Sequence, residues 1–118
     1  MKCREKMKEG TPVIVVTMGD ECPVVEVSWG CFVKKLNDEE VIVIPLERAQ
    51  ILHNALSSYP YAQAVVLKPD EKGYCWFRLK AFVIKEHDEK NLFAEIKKSY
   101  PREFEALLIG KILEAKEV

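Results

Sequence analysis

The sequence predicts a mostly β domain with two or three helices, built as a small six-stranded antiparallel barrel with helices at its openings. Three observations carry that expectation. The first three apolar runs are joined by tight turns, which an all-parallel sheet cannot use. Two later segments, around residues 46–59 and 88–99, repeat their apolar residues at helical spacing. The glycine-rich G-x-G-x-x-G fingerprint of dinucleotide folds is absent, so a doubly wound sheet is disfavoured on a separate ground.

The elements follow in order. Residues 2–9 alternate charges with Cys3 and Met7 one turn apart and stop at Gly10, which suits a short N-terminal helix or arm. Val13 to Met18 is a continuous apolar run between Pro12 and Gly19, too short for a helix and rich in β-branched residues, and so reads as a buried strand. A turn at Gly19-Asp20-Glu21 leads to a long strand from Val24 to Lys35. Asn37-Asp38 then turns the chain into Val41–Ile44, which Pro45 ends. From Leu46 to Tyr59 the apolar residues Ala49, Ile51, Leu52, Ala55, Leu56 and Tyr59 recur at helical spacing, and Ser57-Ser58 with Pro60 close the segment. Ala64–Leu67 and Tyr74–Lys85 are two further strands. In the second, Cys75, Phe77, Leu79 and Ala81 alternate with Tyr74, Trp76, Arg78 and Lys80, so one set faces a core and the other faces out. Asp88 is placed to cap a helix through Ser99, buried along Leu92, Phe93 and Ile96, and Ala106 to Ala115 is the last strand.

Composition narrows the function classes. The 118 residues fit one domain, 1–118, which buries roughly 65% of its unfolded surface. Lysine and arginine number 18 against 19 acidic residues, without the basic excess of a nucleic-acid binder. No run of ~18 apolar residues and no apolar leader suggests membrane insertion or secretion, so a cytoplasmic protein is expected. Cys3, Cys22, Cys31 and Cys75 lack the spacing of metal ligands and are expected as reduced, packed thiols, and neither His53 nor His87 is placed as a ligand; no metal is expected. No Ser-His-Asp or Cys-His arrangement supports hydrolysis.

The most informative residues are Ser28-Trp29-Gly30, which interrupt the long second strand. Glycine inside a strand marks a bend or the close approach of another group, and a large aromatic beside it suggests room for a flat ligand. With the order strand, turn, long bent strand, turn, strand, helix, these residues resemble the FMN-binding split-barrel family, which includes pyridoxamine-phosphate oxidases, flavoredoxin-like reductases and small FMN-binding electron-transfer proteins. The likeness is greatest to the last of these and runs from about Thr11 to Val118.

That resemblance implies a split β-barrel with FMN as cofactor. By matching position, Ser28, Trp29, Gly30 and Cys31 would line the edge of the flavin ring with Phe32 nearby, and Pro45 to Asn54 would face the phosphate. Gln50 and Ile51 stand where family members carry Lys or Arg followed by Ser or Thr; Arg48 would replace the missing cation, Glu47 opposes it, and Asn54 matches a family asparagine. The resemblance further implies a homodimer with the cofactor at the contact, to which Trp76 and Arg78 would contribute. The function it implies is a small redox carrier or flavin reductase, passing electrons to a partner protein or a small-molecule substrate. The alternative is a binding module of the same fold that holds no cofactor, or another planar ligand, and has no enzymatic activity.

Overall fold

Two apolar runs of the sequence, Val41–Ile44 and Ala106–Ile109, become neighbouring strands that are buried on both faces, and the rest of the molecule is arranged around them. A computed structural model of the protein describes residues 9–67 and 73–118. Its elements are β1 (Glu9–Met18), β2 (Pro23–Gly30), β3 (Phe32–Leu36), β4 (Glu39–Leu46), α1 (Gln50–Ser58), β5 (Tyr61–Leu67), β6 (Tyr74–Ile84), α2 (Lys90–Ser99) and β7 (Ala106–Glu117). The strands form one antiparallel sheet in the order β2-β1-β5-β6-β7-β4-β3.

The expected six strands are therefore seven. The residues expected as one strand from Val24 to Lys35 break at Cys31, and the two halves pair at opposite edges of the sheet, β2 with β1 and β3 with β4. The sheet curls until its two edges are one residue apart along the chain, but its ladder does not close into a barrel. A side chain spans part of the gap: the Ser28 hydroxyl on β2 donates to the Pro45 carbonyl on β4 at 2.6 Å.

The inner face of the curled sheet and α1 enclose one core, with Val13, Val15, Ile42, Ile44, Leu52 and Phe77 among its residues. On the other face of β4 and β7, α2 covers a second core that includes Val43, Leu107, Ile109, Phe93 and Ile96. Asn37 and Asp38 both take positive φ, 52° and 64°, and so form the two-residue hairpin turn expected there.

Other expectations shift for local reasons. Leu46 stays paired to Ala106 in β4, so the strand runs past Pro45 and the helix begins at Gln50 rather than Leu46. Asp88 does not cap α2; its carboxylate accepts the Lys85 N–H at 2.8 Å and closes a turn two residues before the helix. Glu9 and Gly10 belong to β1 rather than to a terminal helix, and the rest of that expected helix lies outside the described residues. In β1 only one face is buried: Val13 and Val15 are inside, whereas Met18 is 65% exposed. Among the described residues no helix is long and apolar enough to cross a membrane.

Candidate functional site

Gly30 ends β2 at the point where the chain leaves one sheet edge for the other, and the close approach that its missing side chain permits is made by Tyr100. A Cβ on Gly30 would stand 2.9 Å from Cδ1 of Tyr100 and 3.2 Å from the Phe32 ring. The Tyr100 ring is buried in the second core and its hydroxyl accepts the Trp29 N–H at 3.2 Å. Glycine thus marks a close approach, as expected, but the group that comes close belongs to the chain itself.

The other residues expected at the bend divide by direction. Ser28 is buried and its hydroxyl is committed to Pro45. Cys31 is a buried, reduced thiol that points into the first core, where desolvation pushes its pKa far above the ordinary 9.0. Cys22 is a free but exposed thiol and Cys75 is disulfide-bonded, both contrary to the expectation of four reduced, packed cysteines. Trp29 faces outward, 40% exposed, with the Arg102 guanidinium 5.4 Å from its ring centroid.

Arg102 also joins the bend to the start of α1, because its Nε donates to Glu47 at 2.6 Å. Glu47, Arg48, Arg102, Glu103, Phe104 and Glu105 line an open cleft of about 660 Å³. In it three carboxylates face two guanidiniums. The first N–H of the α1 terminus, that of Ala49, is already met: it donates to the Glu105 carboxylate at 2.7 Å. Gln50 bonds to Asn54 at 3.0 Å, and Ile51 and Asn54 line a different cleft, between α1 and the β1–β2 turn. The expected phosphate-side residues are therefore divided between two places.

Trp76 and Arg78 sit on the outer face of β6. The indole N–H of Trp76 donates to Gln63 at 2.8 Å, Lys116 lies 5.6 Å from its ring, and Arg78 pairs with Glu114 at 3.4 Å. Register places Trp76 opposite Val65, Val65 opposite Ile14 and Ile14 opposite Val27. Directly paired residues share a face. One outer surface therefore carries Trp76, Val65, Ile14, Val27 and, two residues along β2, Trp29. Among the described residues no cluster of side chains could hold a metal ion.

The residues fit one half of an FMN. Its ring needs apolar and aromatic surface, which the outer face offers at Trp29 and Val27. Its phosphate carries about −1.5 to −2 charges and needs open donors, whereas the terminus of α1 has its leading donor, the Ala49 N–H, taken by a carboxylate and two more carboxylates beside it. The phosphate does not fit there.

Sequence reasoning did not find Tyr100, Arg102 or Glu105. The only signal was indirect, a glycine that required something near it, and nothing local indicates that the something lies 70 residues away.

Comparison with solved structures identifies the fold as that of the pyridoxamine-phosphate-oxidase-like FMN-binding proteins and flavin reductases. HupZ from Group A Streptococcus matches with a TM-score of 0.74 at 8% identity, over 99% of this chain and 91% of that one. A pyridoxamine 5'-phosphate oxidase from Listeria innocua, so described provisionally, matches at 0.65 and 8%, over 93% and 89%. The styrene monooxygenase flavin reductase of Pseudomonas putida S12 matches at 0.61 and 10%, over 100% and 86%. No family model and no curated protein matches the sequence.

Proposed function

We propose that this chain is a flavin-binding redox protein, a small carrier or flavin reductase, that works as a homodimer with the flavin ring held against the outer face of β2 and β1. The observation that carries this reading is that face itself. Val27 and Val25 are at least half exposed on it, Ile14 and Val16 are their partners in β1, and Trp29 stands at its end. Strands apolar on both faces belong inside a protein, and a second copy of the chain would complete that burial. Structural neighbours that are flavin reductases or FMN-binding proteins support the choice of a flat redox ligand.

When bound, a flavin supplies transfer of one electron or of a hydride equivalent. The chain's own part is to orient and shield it. Trp29 gives an aromatic surface whose backbone is fixed by the Tyr100 hydroxyl, and Arg102 holds the indole from one side. Val25 and Val27 exclude water beside it.

A second reading, a module of this fold without a cofactor, is favoured by one observation: Tyr100 and Phe32 fill the crevice at Gly30. Titrating a dilute flavin with the protein and following the flavin's fluorescence separates the two. The proposed function predicts saturable quenching, weakened about threefold to tenfold by Trp29→Ala through loss of one aromatic contact. Flavin fluorescence that does not change would leave the cofactor-free module.

A further inference from the structure

We infer that the segment from Tyr100 to Glu105 is a built-in occupant of the cofactor crevice, and that this chain consequently binds flavins without regard to their phosphate. The inference deepens the flavin reading and rests on it for the identity of the ligand.

Three contacts carry it, each at a position where the resemblance to FMN-binding split barrels places part of the nucleotide. Tyr100 lies on Gly30, where the bend was expected to admit a ring edge. Arg102 covers one side of Trp29 and pairs with Glu47, so the guanidinium nearest the bend is already neutralised. Glu105 accepts the Ala49 N–H, the first of the donors at the positive end of α1 that would attract a phosphate. An aromatic ring, a planar cation and an anion thus stand in sequence along six residues, in the places of a ring, its edge contact and its phosphate.

The segment is anchored at both ends. The Tyr100 N–H donates to Ile96 at 2.8 Å and the Glu105 N–H to Leu46 at 2.9 Å. Between them Phe104 stacks on Phe93 at 5.6 Å and meets the Tyr100 ring edge-on at 5.8 Å. The ring contacts belong to the second core and the Leu46 carbonyl to a strand of the first, so the segment is a fixed part of the fold. A phosphate and the Glu105 carboxylate cannot both accept the single Ala49 N–H, and a phosphate placed in the cleft would also meet Glu47 and Glu103. With three carboxylates against the two guanidiniums of Arg48 and Arg102, the cleft disfavours an anion. Any flavin taken on the outer face is recognised by its ring.

The test compares FMN with riboflavin on the wild type, Glu105→Ala and Glu105→Gln, with the thermal unfolding of each variant as a control for folding. The wild type is expected to bind the two flavins within about threefold of each other. Glu105→Ala, which removes the competing acceptor and its charge, is expected to favour FMN by about tenfold. Glu105→Gln, which can still accept the N–H but is neutral, is expected to fall between, and it decides the matter if the alanine variant does not fold. A wild type that prefers FMN by tenfold or more would overturn the inference, as would variants with the wild-type ratio. A wild type that binds neither flavin would sink the proposed function instead. The inference would then stand if a Glu105 variant gained FMN binding and fall if none did.

Discussion

Gly30 has a Tyr100 ring against it, and that single contact decides how the most informative residue of the sequence is understood. Substitution to alanine places a Cβ within 2.9 Å of a ring that the second core holds in place, so the ring, the bend or both must move. Gly30→Ala is expected to destabilise the protein by about 1–3 kcal/mol in chemical denaturation, and by much less in a Tyr100→Leu background, where the ring is gone. Equal costs in the two backgrounds would mean that the glycine serves backbone conformation alone. Ser28→Ala should cost about 1 kcal/mol, because it deletes the 2.6 Å bond to Pro45 that joins β2 to β4. Cys31 is silent by the same packing logic. Its buried thiol, held protonated well above the ordinary range, should be unlabelled by a thiol reagent at about pH 8 until the protein unfolds, with mass spectrometry locating the label; Cys22, exposed, should be labelled in the native state. Labelling of native Cys31 would show that the bend opens.

Most elements were legible in the sequence because their causes are local. The alternation in Tyr74–Ile84 named its buried set correctly, with Cys75, Phe77, Leu79 and Ala81 inside, and the Asn37-Asp38 turn has the positive φ values its residues favour. What was not legible has a distant cause. The break at Cys31 turns one expected strand into β2 and β3 because each half finds a different partner, β1 on one side and β4 on the other, and no local pattern encodes that choice. The candidate site was legible to the same extent: the bend and the helix start are real features, but the residues that fill them come from the connection between α2 and β7. The open ladder leaves β2 and β3 as edges and β6 near the middle of the sheet. Amide hydrogen exchange should therefore be slowest in β6 and β7 and fastest at β3, whose one ladder partner is β4. Protection of β3 equal to that of β6 would indicate that its edge is covered in solution.

At the scale of the whole molecule the unexplained quantity is the outer face of β2, β1, β5 and β6. Val13–Val16 carries apolar side chains in succession, yet only Val13 and Val15 are fully covered within one chain, Ile14 and Val16 being half-buried. A covering partner accounts for that pattern, and an identical copy accounts for it with no further component. Val27→Glu, at the middle of the face, places an unpaired charge in the contact and should convert a dimer to a monomer while leaving the inner core intact. A variant that stays folded and dimeric would place the contact elsewhere. The central claim, a flavin held against a face that two copies share, is tested most directly by sedimenting the purified protein at micromolar concentration with added flavin, while recording the flavin's visible absorbance. The account predicts that this absorbance moves with a species of twice the chain's mass. A protein that sediments as a monomer and leaves the flavin behind would contradict it.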